Sequence, residues 1–258
     1  MTKYALITGT TSGIGKALAR RFAEDKINLV LVSRDLQKLN QQAQSLSDTY
    51  GIKISVIAAD LAEADAALMI YEKVKQQGIE IQYLVNNAGF NENGSFLETD
   101  LSKEIDMIRS QAIGTTEMMK YFIPGMVKRK YGRVLNLGST GSYMACPNNS
   151  VYAATKAYIL SVSKGIGAEL KGTGVTVTTL CPGATKTEFA SKAELDNTLL
   201  FRLFVMQPQK VASTGYKALM RGKTYVIAGV YNKLLVLSSK IMPLFILNPT
   251  IKLMLKSR

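Results

Sequence analysis

Histidine is absent from the 258-residue sequence, and cysteine occurs only twice, at Cys146 and Cys181. Without histidine the chain cannot form a Ser-His-Asp triad, a His-ligated zinc or iron site, or an imidazole proton shuttle. The two cysteines stand in neither a CxxC nor a metal-ligand spacing, so we predict no metal site, and their number suits the reducing cytosol. Any acid or base that titrates near neutral pH must therefore be a side chain with a shifted pKa.

Acidic residues are missing from the C-terminal quarter. Between Asn197 and Arg258 there are ten lysines and arginines and no aspartate or glutamate, and the whole chain carries a formal charge of +13. A positive surface of this kind attracts lipid head groups, acyl carriers, nucleic acid or other anions without selecting among them. The same charge also fits a surface that serves solubility alone, so composition leaves the partner open.

Long apolar runs are absent as well. The longest uncharged stretch near the C-terminus, Ile241–Ile251, is about half of the roughly 20 apolar residues that a membrane-spanning helix needs. The first residues, Met1 to Thr8, run directly into an apolar strand rather than into a charged segment followed by a long apolar one. That start is unlike a secretory signal, and we expect a cytoplasmic protein.

One segment near the C-terminus has apolar residues at helical spacing. Asn232–Met242 carries them with Lys233 and Lys240 alongside, before Pro243 and Pro249 interrupt the pattern. The pattern predicts a short amphipathic helix that lies on the body of the protein or makes weak contact with a membrane surface.

Short apolar runs alternate with longer segments of helical period along most of the chain. This alternation is typical of an α/β fold in which helices cover both faces of a parallel sheet. We predict strands at Lys3–Thr8, Asn28–Ser33, Lys53–Ala58, Ile81–Asn86, Arg133–Gly138, Gly174–Leu180 and Tyr225–Ile227. We predict helices at Ile14–Asp25, Leu36–Tyr50, Ala64–Gln77, Ser102–Arg129, Val151–Lys171 and Pro208–Arg221, with Asp35 and Ser150 as candidate caps.

A glycine-rich turn follows the first strand and leads into the first helix. Gly9, Gly13 and Gly15 can supply a sharp turn, a close approach of backbone to a pyrophosphate, and tight packing of helix on strand. The backbone amides of Thr11, Ser12 and Ile14 stand at the start of that helix, where an anion is stabilised. The order of strand, turn and helix therefore predicts a dinucleotide site.

The end of the second strand indicates which dinucleotide. An NAD enzyme usually has a carboxylate there for the ribose 2′-hydroxyl, whereas this chain has Ser33 and Arg34, which suit a 2′-phosphate. We predict a preference for NADP(H) over NAD(H). The alternative is that Arg34 is only a solvated residue at a helix start and that Asp35 binds the ribose.

Six motifs, in order along the chain, resemble those of the short-chain dehydrogenase/reductase family. They are the TGxxxGxG turn at Thr8 to Gly15, the adenine-binding pair Asp60 and Leu61, the NNAG motif ending in Asn87, Ala88 and Gly89, Ser139, the YxxxK motif from Tyr152 to Lys156, and a PGxxxT-like segment with Pro182, Gly183, Thr185 and Thr187. The resemblance implies a Rossmann-like, doubly wound sheet of seven parallel strands. It also implies a nicotinamide near Tyr152 and Pro182–Gly183.

The resemblance assigns roles to the catalytic residues. Tyr152 would exchange a proton with the carbonyl oxygen, Ser139 would hydrogen-bond the same oxygen, and Lys156 would bind the ribose hydroxyls. Because Tyr152 and Lys156 are four positions apart in a predicted helix, we expect the ammonium to lower the phenol pKa from its reference value of about 10.

One position departs from the family pattern. Gln111 stands where the family has an asparagine that supports a water in a proton relay. Its amide offers the same donor and acceptor one methylene further out, so the relay either persists with a shifted water or is weakened, and we expect activity to survive.

The resemblance also predicts that residues 1–258 form one NAD(P)-binding domain. Residues 1–185 would form the cofactor-binding and catalytic core, 186–207 an apolar substrate lid or simply a packed helix, and 228–258 a basic amphipathic extension. Ser33–Arg34 and the segment from Val226 to Lys233 loosely resemble a subgroup that includes reductases of long-chain 3-oxoacyl groups and of steroids. Members of the family often form dimers or tetramers through two long helices, which here would be Ser102–Arg129 and Val151–Lys171.

Two other classes of function stay open. The chain could sense a nicotinamide cofactor without turnover, for which Gln111 is the only support. It could instead bind a membrane surface or nucleic acid through its basic C-terminal quarter, although we find no aromatic-interleaved basic stripe and expect no specific nucleic acid. The expected ligand is a small carbonyl substrate with an apolar body, which fits the apolar residues of the 186–207 segment.

Overall fold

The fold is a seven-stranded parallel sheet with helices on both faces, as predicted. The computed structural model describes residues 3–188 and 198–255, except for the side chains at 202 and 203. The strand order is β3-β2-β1-β4-β5-β6-β7, with every pair parallel. The strands are β1 Tyr4–Thr8, β2 Asn28–Ser33, β3 Ile54–Ala58, β4 Tyr83–Asn86, β5 Gly132–Leu137, β6 Val175–Cys181 and β7 Tyr225–Ile227.

Helices connect successive strands and cover the sheet. They are α1 Gly13–Glu24, α2 Leu36–Tyr50, α3 Ala66–Gln76, α4 Leu101–Ile108, α5 Gly114–Lys128, α6 Ser150–Glu169, α7 Leu199–Phe204, α8 Pro208–Met220, α9 Val230–Ser239 and α10 Leu244–Leu255. A π-helical segment, Arg109–Ile113, joins α4 to α5, and a 3₁₀ turn, Thr140–Tyr143, follows β5. Predicted boundaries were wrong by at most two residues for most elements, and those of β2, β7 and α2 were predicted without error.

Alternate side chains of the buried strands enter two separate cores. On one face, Ile7 and Leu31 pack with α1, α2 and α8, and on the other, Leu6 and Val30 pack with α3 and α5. A strand buried on both faces reads as a continuous apolar run, which is why the sequence pattern identified these strands. Strands β2 and β3 lie on one side of β1, and β4 lies on its other side. The strand order therefore reverses between β1 and β4, and the ligand crevice of this topology opens beyond the carboxyl ends of these two strands.

The predicted single helix Ser102–Arg129 is wrong in one respect. It contains the π-helical segment Arg109–Ile113, where the hydrogen bonds lengthen by one residue and the two flanking helices differ in phase. Short stretches of helical spacing on either side still match a helix, which is why periodicity did not reveal the insertion. The segment places Ser110, Gln111 and Ala112 in the interior.

The C-terminal region forms two helices rather than one interrupted helix. Pro243 precedes α10, and Pro249 lies inside it, so neither proline prevents helix formation beyond Met242. The Ser150 cap is also wrong, because Ser150 is the first residue of α6 and Asn149 precedes it. Asp35 does cap α2, since its carboxylate accepts a hydrogen bond from the Lys38 amide at 3.0 Å.

Candidate active site

The glycine-rich turn has the close backbone packing that a pyrophosphate site requires. Gly9 and Gly13 adopt φ values of +68° and +55°, which favour glycine. A Cβ at Gly15 would overlap the Gly9 carbonyl oxygen and the Asn87 amide. The backbone of the turn therefore packs closely against Asn87 and Ala88, in positions that a side chain on these glycines would block.

The start of α1 is suited to an anion. Ser12 precedes the helix in an extended conformation, but its side chain makes no capping hydrogen bond. The amides of the first helical turn, including that of Ile14, thus have no side-chain cap, and the helix dipole adds positive potential there. Thr11 reaches across to β2, where its hydroxyl lies 3.1 Å from that of Ser33. These residues fit the phosphates of a dinucleotide.

The end of β2 brings three predicted residues together. The Arg34 guanidinium lies 3.3 Å from the Asp60 carboxylate and is 66% exposed, so it remains accessible to a phosphate. Asp60 also accepts a hydrogen bond from the Ala62 amide at 3.0 Å, and Leu61 is buried beside it. Asp35 is engaged as the α2 cap, which argues against its predicted alternative role on the ribose.

The NNAG segment is hydrogen-bonded to the glycine-rich turn. The Asn87 side chain donates to the carbonyls of Thr8 and Gly9, both at 2.9 Å, and the Ala88 amide donates to the Thr8 hydroxyl at 2.9 Å. These bonds tie the end of β4 to the end of β1. The motif thus fixes the shape of the glycine turn as well as lining the crevice.

Gln111 lies against the same segment. Its side-chain amide donates to the Phe90 carbonyl at 2.6 Å, and a Cβ at Gly89 would lie 2.9 Å from Gln111 Cδ. Its Oε1 is buried and, among residues 3–188 and 198–255, accepts no hydrogen bond from protein. Gln111 therefore retains a free acceptor inside the protein, and the expectation that it supports a relay water stays a prediction.

Ser139, Tyr152 and Lys156 converge at the end of β5. The Ser139 hydroxyl accepts from the Gly141 amide at 3.1 Å and hydrogen-bonds the Tyr152 phenol. Lys156 is buried, and its ammonium donates to the Leu137 carbonyl at 3.0 Å and lies 5.5 Å from the Tyr152 ring centroid. Because α6 carries both Tyr152 and Lys156 one turn apart, a single helix aims them at the carboxyl end of β5.

The expected lowering of the Tyr152 pKa is wrong for this site. Burial raises the pKa of Tyr152 to about 12, and the hydrogen bond from Ser139 offsets that only in part. Burial also lowers the pKa of Lys156 to about 7, which weakens its charge at neutral pH. The spacing of two residues in a helix shows that their side chains are neighbours, but it does not show how far burial removes them from water. As a result Tyr152 is a phenol, able to donate a proton, throughout the physiological pH range.

We expect stability to depend on the Lys156 proton. Above pH 7 the folded protein releases this proton while the unfolded chain keeps it up to about pH 10.4, so stability gained from Lys156 rises with pH across that window. The free energy of unfolding of the native protein, relative to Lys156→Met, should therefore increase by roughly 3 kcal/mol between pH 6.5 and 9.5. Urea unfolding of both proteins without cofactor measures it. A difference that does not change with pH would show that the folded protein keeps Lys156 charged.

The Pro182–Gly183 segment closes the site from the side of β6. The Thr140 amide donates to the Pro182 carbonyl at 2.8 Å, and the Thr185 hydroxyl donates to the Gly183 carbonyl at 2.9 Å. The Thr187 methyl would lie 2.9 Å from a Cβ at Gly13, so this segment reaches the glycine turn. The structure thus brings the predicted cofactor residues and catalytic residues to one crevice.

A cavity opens beside Tyr152 and Ser139. Its wall includes Leu200 and Phe201 of α7, which belong to the predicted lid, and side chains of the two C-terminal helices, which the sequence did not single out as lining residues. Lining residues are Asn91, Ser139, Thr140, Gly141, Met144, Cys146, Asn149, Tyr152, Gly183, Ala184, Thr185, Thr187, Leu200, Phe201, Leu235, Ile251, Met254 and Leu255. The helical spacing of Leu247, Ile251 and Leu255 was the available signal, because these three form one buried stripe of α10.

Two asparagines give this cavity a polar part that sequence reasoning missed. Asn91 is 6% exposed, and neither atom of its amide has a hydrogen-bond partner within the described part of the chain. Asn149 donates to Asn93 at 3.1 Å, but its own side-chain oxygen is likewise unpaired there. Unpaired buried amides are costly, so these atoms are suited to a polar group of a bound molecule.

The structure describes only part of the predicted lid, residues 186–207. Leu200 and Phe201 line the cavity and pack on α10, Phe204 stacks on Tyr231 with centroids 3.6 Å apart, and Met206 pairs with Thr185. Phe189 and Leu195 lie outside the described residues, as does the side chain of Leu203. Leu200 and Phe201 therefore pack against the protein and also line the cavity, and the role of the segment as a substrate lid stays a prediction.

Comparison with known proteins agrees with this geometry. The family model described as short chain dehydrogenase matches residues 3–198. The very-long-chain 3-oxoacyl-CoA reductase of Anas platyrhynchos is 35% identical over 201 residues, a match covering 75% of this chain and 64% of that protein. The 17-beta-hydroxysteroid dehydrogenase type 3 of Danio rerio is 32% identical over 83% of this chain and 71% of that protein. A short-chain dehydrogenase from Sphingobium yanoikuyae in complex with NADPH superposes with a TM-score of 0.82 at 28% identity, covering 93% of this chain and 95% of that one.

Proposed function

We propose that this chain, which belongs to the short chain dehydrogenase family, reduces an apolar ketone to a secondary alcohol with NADPH. The observation that carries the proposal is the group of Ser139, Tyr152 and Lys156 beside a largely apolar cavity, next to a turn suited to a dinucleotide. NADPH, when bound, supplies the hydride.

Tyr152 supplies the proton in this proposal. Its raised pKa keeps the phenol protonated at neutral pH, and the Ser139 hydroxyl beside it is placed to orient the carbonyl oxygen. Reduction uses the protonated phenol directly, whereas oxidation would first require its deprotonation. At neutral pH Tyr152 therefore already holds the proton that reduction consumes.

The preference for NADPH rests on the end of β2. Ser33 and Arg34 offer a hydroxyl and an exposed guanidinium, and Asp35 is occupied as a helix cap. A guanidinium binds phosphate with two parallel hydrogen bonds and has no comparable partner on a ribose hydroxyl. The relative from Sphingobium yanoikuyae is also a complex with NADPH.

A 3-oxoacyl thioester is the substrate class that the cavity fits best. Leu235, Ile251 and Phe201 provide an apolar wall for an acyl chain, while Asn91 offers an unpaired amide in the cavity that Ser139 and Tyr152 also line. A 3-oxoacyl group carries a second carbonyl two carbons from its ketone, and that carbonyl can accept from the Asn91 amide. The similarity to a very-long-chain 3-oxoacyl-CoA reductase supports the same class.

Matched pairs of substrates test this assignment. NADPH oxidation would be followed with a 3-oxoacyl thioester and with a methyl ketone of equal chain length. Because only the thioester has the second carbonyl, Asn91→Leu should lower kcat/KM for the thioester by about tenfold and leave the methyl ketone nearly unchanged. A steroid ketone serves as a third substrate.

Each outcome of this assay is informative. Equal losses on both ketones would mean that Asn91 shapes the site and does not recognise the thioester. Reduction of the steroid alone would replace 3-oxoacyl groups as the substrate class. NADPH binding without oxidation of any carbonyl would favour a cofactor-binding regulator and overturn the enzymatic proposal.

We also propose a homo-oligomer in the cytoplasm. Leu101, Ile105 and Ile113 leave an exposed apolar face along α4 and the π-helical segment, and Tyr158 extends it onto α6. These are the helices through which members of the family often pair. The free thiols of Cys146 and Cys181 suit a reducing compartment. Light scattering and cell fractionation test the two statements.

A further inference from the structure

The two C-terminal helices expose an apolar surface that the proposed reaction does not use. We call it the C-terminal face, and it consists of Val230, Leu234, Leu237, Ile241, Leu244, Phe245 and Leu253, each with a relative exposure between 57% and 78%. Single exposed apolar residues are common on proteins, but a cluster of seven within 24 positions marks a binding surface. The face lies on α9, α10 and the turn between them.

The charges around this face all have one sign. Lys233, Lys240 and Lys252 are exposed on the same two helices, and the sequence has no acidic residue after Asp196. Within the part of the chain that the structure describes, no ion pair joins any of the three to a carboxylate. The Lys240 ammonium lies 5.8 Å from the Tyr143 ring centroid, a contact that does not neutralise its charge. The charge of all three lysines is therefore available to an anionic partner.

We propose that the C-terminal face docks on the surface of a bilayer rich in anionic phospholipid. Apolar side chains between lysines are what interfacial helices use, the former entering the boundary of head groups and acyl chains and the latter binding the head groups. A second copy of the chain is a poorer occupant, because a two-fold contact would bring the same lysines together. No helix among residues 3–188 and 198–255 has the length and apolar character to cross a bilayer.

The orientation of α10 links this surface to the cavity. Ile251, Met254 and Leu255 line the cavity, while Leu244, Phe245 and Leu253 of the same helix belong to the C-terminal face. Docking thus sets one side of the cavity wall against the membrane. If the proposed function holds, an acyl substrate held in the bilayer lies next to the helix that receives it.

Sedimentation with vesicles tests the proposal without any substrate. Native protein should bind vesicles of phosphatidylcholine with phosphatidylserine far more tightly than vesicles of phosphatidylcholine alone, and added salt should weaken the binding. The double variant Lys233→Gln/Lys240→Gln should bind the anionic vesicles about 30-fold more weakly. The double variant Ile241→Ser/Phe245→Ser should lose about tenfold on the same vesicles.

Controls come from the opposite edge of the sheet. Lys53→Gln/Lys75→Gln removes the same charge near β3 and α3, and Leu36→Ser/Leu68→Ser removes exposed apolar side chains there, so both should bind like native protein. NADPH binding by every variant verifies that it is folded. Equal losses in control and test pairs, or no vesicle binding by native protein, would overturn the proposal. So would a fall in molecular mass by light scattering in Ile241→Ser/Phe245→Ser, because that result assigns the face to a second copy.

Discussion

Replacement of Tyr152 by phenylalanine should lower kcat for NADPH-dependent ketone reduction by about 1,000-fold. The change removes the hydroxyl that Ser139 contacts and keeps the aromatic ring, so the cavity keeps its shape. Since proton donation is lost and ring packing is retained, KM and the affinity for NADPH should change by less than about threefold. Stopped-flow NADPH oxidation and fluorescence titration measure the two quantities separately.

Tyr143→Phe is the matched control. Tyr143 lies on the 3₁₀ turn directly after Ser139, and its hydroxyl contacts the Cys181 sulfur at 3.8 Å, away from the cavity lining. This variant should retain nearly full activity. The pH profile adds a second test, because a phenol with a pKa near 12 stays protonated between pH 6 and 9, so a change of rate in that range belongs to another group such as Lys156. Full turnover by Tyr152→Phe would assign the proton donor to another group.

The second large effect concerns cofactor selection. Arg34→Ala should weaken NADPH binding by about 100-fold and leave NADH binding nearly unchanged, because only NADPH has the 2′-phosphate that a guanidinium can bind with two hydrogen bonds. The exposed contact of Arg34 with Asp60 contributes little to stability, so the variant should fold normally. Arg34→Lys should recover part of the loss, since it restores the charge and not the planar fork.

Two variants keep this result interpretable. Arg20→Ala removes another exposed arginine, paired with Glu24 on α1, and should not alter the affinity for either cofactor. Asp35→Asn preserves the capping oxygen of α2 and removes the negative charge, so NADH binding should persist if Asp35 only caps the helix. Equal weakening of NADH and NADPH by Arg34→Ala would instead place Arg34 on a part that both cofactors share.

Much of the fold could be predicted from local signals. The central strands are apolar runs because they are buried on both faces, and the edge strands β3 and β7 are apolar runs that are only partly buried. The glycine turn, the NNAG segment and the YxxxK motif are short enough to recognise in the sequence. Their mutual contacts followed from topology, because the carboxyl ends of β1, β4 and β5 meet at one edge of the sheet. The predicted site residues accordingly lie around one crevice.

The features that the sequence did not predict depend on contacts between residues that are far apart in the chain. The π-helical insertion at Arg109–Ile113 alters helix phase without altering the apolar spacing on either side, so periodicity could not locate it. The pKa of Tyr152 depends on how deeply the site is buried, which spacing along α6 does not record. The sequence could not show that the Asn91 amide is unpaired, because this depends on which of the residues described by the structure surround it.

The residues that line the cavity come from two parts of the chain, and this bears on how the protein can evolve. Tyr152, Lys156 and Ser139 fall within the 3–198 segment that the family model matches, whereas Leu200, Phe201 and the α10 side chains follow it. Mutations in the later segment can reshape the receiving surface while the proton donor and the cofactor crevice remain intact. The part of the cavity wall formed by α7 and α10 can therefore evolve separately from the residues that bind the cofactor and donate the proton.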